Sequence, residues 1–129
     1  MNGPRVVIVD DDEFIRRIID RVLTRAGFMT AHAGTGKDGL ALIESFSPEL
    51  VVLDIFMPGD YDGVEVCRRL RENNRYHGMV IVMISAGDQR RESQRSIEAG
   101  ADIFIPKPFS PRYFLEQVKV LLREKGGLS

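Results

Sequence analysis

The sequence predicts an α/β protein: a parallel sheet of five strands with five helices wound over both faces. Three observations predict it. Short apolar runs at residues 6–9, 50–53 and 79–84, and a weaker one at 103–105, have the length of buried strands. Between them lie longer stretches whose apolar residues recur at helical spacing. Each run ends in residues that carry chemistry: Asp10-Asp11-Asp12, Asp54, Ser85 and, after the fourth, Lys107. Alternation of this kind implies right-handed crossovers and a sheet covered on both faces.

The elements follow in order. Val6-Val7-Ile8-Val9 is strand one. Phe14, Ile15, Ile18, Ile19, Val22 and Leu23 mark helix one, which Gly27 closes, because glycine readily takes the left-handed turn at a helix end. Residues 28–33 read as strand two. Leu40, Leu42, Ile43 and Phe46 carry helix two, which stops before Ser47-Pro48. Strand three is residues 50–53, and Val64, Val66, Cys67 and Leu70 mark helix three. Strand four is residues 79–84. Residues 89–99 form helix four, closed by Gly100, and residues 101–105 form strand five. Phe114, Val118, Leu121 and Leu122 make the apolar stripe of helix five.

Helix four is a poor amphipath, with no apolar residue from Gln89 until Ile97. A helix that buries so little is held weakly. It reads either as a solvated face or as a mobile element that shows a changing surface to a partner. Arg90, Arg91 and Arg95 fit solvation of that face better than contact with nucleic acid.

Open sheets of this kind bind ligands beyond the carboxyl ends of their strands, at a switch point in strand order. The flavodoxin-like order 2-1-3-4-5 puts that point between strands one and three. Those strands end in Asp10-Asp11 and Asp54, so topology and chemistry choose the same order. Magnesium takes hard oxygen ligands and keeps several waters, so one or two carboxylates suffice for it. Asp10 and Asp11 supply them, and Asp54 adds a third. An aspartate can also attack a phosphoryl group to form an aspartyl phosphate. The metal and the ammonium of Lys107 would offset the like-charge repulsion, and Ser85 would donate a hydrogen bond to a phosphoryl oxygen. Small Ala86 leaves room for that group. Singly, each residue has a plainer reading: helix capping for the Asp run, a turn for Asp54, solvation for Lys107. Asp12 and Glu13, in the first turn of helix one, fit capping and dipole compensation.

Bulk properties set the frame. The 129 residues suit one domain, taken as residues 1–125, with 126–129 a tail or the start of a linker. A net charge of -1 gives no support to bulk nucleic-acid binding by this domain. No apolar run has membrane-spanning length, and the first residues lack signal-peptide character, so no membrane association is expected and a cytoplasmic location is the default. The single Cys67 reads as a small packing residue. Gly34-Thr35-Gly36-Lys37 resembles the end of a P-loop but has Ala31 and Asp38 where glycine and Ser or Thr are required, so it reads as a loop opening helix two. His32 and His77 have no metal-ligand spacing.

Five motifs in order resemble the response-regulator receiver domain of two-component signalling. They are Val9-Asp10-Asp11-Asp12, Leu53-Asp54-Ile55-Phe56-Met57-Pro58, Asp62-Gly63-Val64-Glu65, Ile84-Ser85-Ala86, and Gly100-Ala101-Asp102 leading to Lys107-Pro108-Phe109. The resemblance implies that Asp54 takes a phosphoryl group from a histidine kinase or a histidine phosphotransfer protein. It implies Mg²⁺ on Asp11, Asp54 and the Phe56 backbone carbonyl, with Asp10 acting largely through water. It makes Ser85 the switch hydroxyl and Phe104 its partner aromatic, and implies a cis peptide before Pro108. It implies self-catalysed phosphorylation and dephosphorylation rather than turnover of a separate substrate. The output would be the helix four–strand five–helix five surface, acting on a downstream protein or an output domain, with a phosphorylation-linked homodimer as a further expectation.

This chain departs from the family pattern at three places. Gly59-Asp60-Tyr61 lengthens the loop before Asp62-Gly63 by one residue, Phe104 replaces the commoner tyrosine, and Pro106 precedes Lys107. Phe56 and Gly87, each two residues beyond a site residue, would flank the path of attacking water. Two other functions remain: a docking module that works without phosphate, and a haloacid-dehalogenase-type phosphatase with Asp10 as nucleophile. Against the phosphatase, Phe14 stands where threonine or valine is usual and no cap domain is evident.

Overall fold

The computed structural model describes residues 3–125; the expected tail or linker at 126–129 lies outside the described residues. Five strands form one parallel sheet: β1 (Arg5–Val9), β2 (Met29–Ala33), β3 (Leu50–Asp54), β4 (Val80–Ser85) and β5 (Ile103–Pro106). Their order is β2-β1-β3-β4-β5, as the positions of the acidic residues predict. Five helices connect and follow them: α1 (Glu13–Arg25), α2 (Gly36–Phe46), α3 (Gly63–Arg71), α4 (Gln89–Glu98) and α5 (Pro111–Glu124). A short 3-10 turn (Asn74–Tyr76) precedes β4.

Strand periodicity divides the core in two. Val6, Ile8, Leu50, Val52, Val82 and Ile84 face α1 and α5, and meet Ile19, Leu23, Phe114 and Val118. Val7, Val9, Val51, Leu53, Ile81 and Met83 face the other way, toward Ile43, Val66, Cys67 and Leu70 of α2 and α3. Apart from Arg5, every residue of the three central strands is buried, which is why they read as unbroken apolar runs. Cys67 is buried in the second cluster, as its packing role requires, and burial pushes its thiol up to about 11.

Each helix starts on a side-chain cap that occupies a backbone donor otherwise left free. Asp12 accepts from Phe14 N and Ile15 N, Thr35 from Asp38 N, Asp62 from Glu65 N, Asp88 from Arg91 N and Ser110 from Tyr113 N. Thr35 thus explains Gly34-Thr35-Gly36-Lys37 as a helix opening.

The observed strands differ from the expected ones at their ends. Phe28 and Met79 are buried but precede their strands, whereas Asp54 and Ser85 lie inside theirs. Strand five starts at Ile103 and not at residue 101: Asp102 N donates to Ile81 O at 2.8 Å, but the return bond from Ile81 N ends on the Asp102 side chain, whose Oδ2 accepts it at 2.8 Å. The same carboxylate oxygen accepts from Arg71 Nη2 at 2.8 Å. Arg71 also donates to the carbonyls of Gly100 (2.8 Å), Met79 (2.7 Å) and Tyr76 (3.2 Å). One guanidinium therefore closes the start of β4, the start of β5 and the end of α3.

Arg71→Ala would leave those carbonyls and the Asp102 carboxylate short of partners. A loss of about 2–4 kcal/mol is expected in urea unfolding. A loss below about 1 kcal/mol, the worth of an ordinary surface pair, would show that the carbonyls find other donors.

Candidate functional site

Parallel register sets the site. Val9 pairs with Leu53, so Asp10 and Asp54 follow at the same level on adjacent strands. Asp54 pairs with Ile84, and Ser85 comes next on β4, opposite Pro106. Lys107 N donates to Ser85 O at 2.8 Å, which extends the ladder one residue past β5. Four residues read separately in the sequence thus meet at one edge of the sheet.

Asp10 is wholly buried. Its Oδ1 accepts from Asp12 N at 2.9 Å and its Oδ2 from Lys107 Nζ at 2.8 Å. Lys107 Nζ also lies 3.4 Å from Asp54 Oδ1. Asp54 is 4% exposed, while Asp11 is open to solvent. One carboxylate oxygen from each of Asp10, Asp11 and Asp54 falls within 4.8 Å of the others. Three hard oxygen donors so placed can hold a divalent cation, with solvent ligands entering past Asp11.

The electrostatics follow from burial. Asp54 is pushed up to about 7, first by desolvation and then by the charge of Asp10, with Lys107 opposing both. For Lys107, burial disfavours the ammonium, but the hydrogen bond to Asp10 and the charge of Asp54 outweigh it and hold its pKa above the usual lysine value.

The neighbouring loops are shaped by close backbone contacts. Gly63 N donates to Ile55 O at 2.9 Å, and a Cβ on Gly63 would come within 2.2 Å of Asp54 O. Only glycine fits there, which gives the Asp62-Gly63 motif its physical reason. Ser85 is buried, and its Oγ accepts from Gly87 N at 3.0 Å, which leaves its hydrogen to donate elsewhere. Phe56 is 51% exposed, and its ring lies so near Gly87 that a Cβ there would meet its Cε2 at 2.7 Å. Phe104 is half-buried against the α2–α3 cluster, on the same face of the sheet as Ser85. The Lys107–Pro108 peptide is cis. In the lengthened loop, Gly59 has a φ of +97°, and Tyr61 packs on the core under the guanidinium of Arg69, 4.2 Å from the ring centre. His32 and His77 are exposed and lie apart from these residues.

Two features escaped sequence reasoning. Arg16 Nη1 donates to Asp10 O at 2.6 Å, so α1 grips the strand end behind the acidic residues. The buried side chains of α4 are Glu92 and Ser96, while Ile97 is 55% exposed. A buried polar stripe of this kind leaves no apolar periodicity by which the sequence could show it.

Comparison with known proteins gives one family. The response regulator receiver domain matches residues 6–119. The chain is 37% identical over 122 residues to the transcriptional regulatory protein GltR of Pseudomonas aeruginosa, covering 95% of this chain and 50% of that protein. It is 37% identical over 128 residues to the transcriptional regulatory protein ResD of Bacillus subtilis, covering 99% and 52%. The chain therefore spans about half the length of these relatives. Among solved structures, a response regulator receiver domain protein (CheY-like) from Methanospirillum hungatei superposes with a TM-score of 0.88 at 34% identity, covering 96% of this chain and 97% of that one.

The raised Asp54 carboxyl predicts a pH-dependent stability difference. Its folded value of about 7 exceeds the unfolded value of 3.8, so the folded state binds this proton more tightly. That contribution is full below the unfolded value and is lost as pH rises through the folded one. Asp54→Asn removes the titration. In chelator, its stability advantage over the wild type should grow from pH 5 to pH 8, by on the order of 2–4 kcal/mol at about 1.4 kcal/mol per tenfold change in proton affinity. An advantage that does not change with pH would contradict the assignment.

Proposed function

The chain belongs to the response regulator receiver domain family, and from that premise we propose that it is a phosphoryl-accepting signalling switch with Asp54 as acceptor. The observation that carries the reading is the convergence of Asp10, Asp11, Asp54, Ser85 and Lys107 at one sheet edge. The donor is a histidine kinase or a histidine phosphotransfer protein. An oxygen of the Asp54 carboxylate bonds to phosphorus as the bond from phosphorus to the donor imidazole nitrogen breaks. The electron pair of that bond returns to the ring.

Asp10, Asp11 and Asp54, with the Phe56 backbone carbonyl, would hold Mg²⁺, and the fit rests on the spacing of the three carboxylates. When bound, the ion supplies positive charge that offsets repulsion between carboxylate and phosphoryl group. Lys107, already within 3.4 Å of Asp54, adds a second positive charge. Ser85 donates its free hydrogen to a phosphoryl oxygen, and Phe104, on the same face of the sheet, follows its movement. The result is a population shift at the α4–β5–α5 surface, read by a downstream protein or an output domain and compatible with a phosphorylation-linked homodimer. For the donor, the groove between α1 and α5 is suited: exposed Phe14, with Ile18, Val22 and Leu115, lies among Arg17, Arg21 and Arg112.

Intact mass after incubation with acetyl phosphate tests the reading. A phosphate adduct should form with Mg²⁺, fail to form in chelator and be absent from Asp54→Ala. No adduct, with beryllofluoride also failing to bind, would leave a docking module. An adduct that survives Asp54→Ala but not Asp10→Asn would favour the phosphatase.

The lifetime of the adduct tests Phe56. Its ring covers Gly87 beside the site and hinders the water that would attack phosphorus. Phe56→Asn should speed dephosphorylation severalfold, measured by loss of the adduct after the phosphodonor is removed. An unchanged or slower rate would rule this role out.

A further inference from the structure

Helix α4 rests on the sheet through polar side chains. Ser96, fully buried, donates its Oγ to Glu92 O at 2.7 Å and so is satisfied within the helix. Glu92 is 3% exposed, and a carboxylate so placed is costly unless paired. Arg95 pairs it, with Nη1 donating to Glu92 Oε1 at 2.7 Å. The other terminal nitrogen of Arg95, Nη2, lies 3.6 Å from Asp62 Oδ2.

Asp62 belongs to a different segment. It caps α3 through its Oδ1, 2.9 Å from Glu65 N, at the end of the lengthened loop after Asp54. Its neighbour Gly63 packs on the Asp54 carbonyl. Glu92 in turn abuts the loop after Ser85: a Cβ on Gly87 would lie 3.2 Å from both Cγ and Oε2 of Glu92. One guanidinium on α4 therefore links Asp62, at the end of one loop flanking Asp54, to Glu92, which abuts the other.

We propose that Arg95 is a positioning residue that ties the Ser85–Gly87 loop to the loop after Asp54 in the resting protein, and so sets how readily Asp54 is phosphorylated. The proposal rests on the reading of Asp54 as phosphoacceptor. The two arms of the tie are unequal. The short arm neutralises a buried charge, and breaking it would strand Glu92. The long arm reaches a side chain 40% exposed and is weak. Movement of Ser85 and Gly87 toward a phosphoryl group carries Glu92 and Arg95 with it. The contact with Asp62 then gives way first. Because that contact is made in the resting arrangement only, it biases the equilibrium toward rest.

Asp62→Asn isolates the long arm. Asparagine caps a helix as well as aspartate does, and the Glu92–Arg95 pair stays intact. Labelling of Asp54 by acetyl phosphate with Mg²⁺ should become about two- to fivefold faster, the range for losing one half-exposed ion pair. Half-saturation by beryllofluoride should fall by the same factor, with Tm lowered by no more than a few degrees. Arg95→Lys keeps a charge for Glu92 but cannot bridge both carboxylates. It should match Asp62→Asn, and the double variant should go no further than either single one. Unchanged or slower labelling in Asp62→Asn, or additive effects in the double variant, would overturn the proposal. A wild-type protein that takes no label and binds no beryllofluoride would overturn the phosphoacceptor reading, and this proposal with it.

Discussion

Two buried carboxylates side by side, Asp10 and Asp54, are the constraint around which this structure is arranged. They are adjacent because β1 and β3 run parallel in a register that sets Val9 against Leu53. A parallel sheet brings all its carboxyl ends to one edge, so whatever follows each strand must share that edge. Here that means like charges. Lys107 is delivered from the far side of β4, past Ser85, to within 2.8 Å of one carboxylate and 3.4 Å of the other. Burial first, and then the charge of Asp10, push Asp54 up to about 7 against the single ammonium of Lys107.

The two ends of the sheet handle polar groups in opposite ways. At the amino end of β4 and β5, Arg71 meets three carbonyls and Asp102 with short bonds and is largely enclosed. Nothing there is left in excess. At the carboxyl end, charge is in excess and the loops are spaced by glycines where a side chain would collide with Asp54 O or the Phe56 ring. Rigidity at one end lets small movements at the other remain local to the loops and α4 instead of loosening the sheet.

The fold was legible because periodicity and punctuation agreed. Fully buried strands read as unbroken apolar runs, and the chemistry at their ends selected the strand order. Strand boundaries were less legible: Asp102 N donates to Ile81 O, but the bond from Ile81 N ends on the Asp102 side chain, which no periodicity reveals. At the site, residues carried by strand ends or by local motifs could be read, since register alone places Asp10, Asp54, Ser85 and Lys107. Arg16, Glu92 and Arg95 could not. Their roles depend on which way a helix is turned toward the sheet, and α4 has no apolar face to show it: Ile97 points outward while Glu92 and Ser96 point in. Asp12 was legible as a cap because capping is local, spanning only two or three residues.

The surplus of negative charge joins stability to ligand occupancy. Protonation of Asp54, or a cation held by the three carboxylates, relieves the same repulsion, so each stabilises the folded state by linkage. Phosphorylation of Asp54, as proposed, would work against this gradient, because it would add charge where the fold already has too much. It can persist only if positive charge and hydrogen-bond donors gather around the new group: Lys107 from one side, the Ser85 hydroxyl from another, a cation at the acidic face. On the proposed reading Ser85 is the member of that set whose loop would travel; in the structure its Oγ accepts from Gly87 N. That loop is the one in contact with Glu92, and the helix it would pull, α4, buries only polar side chains. On the proposed reading, electrostatic need at Asp54 and the polar seating of α4 would be two halves of one device.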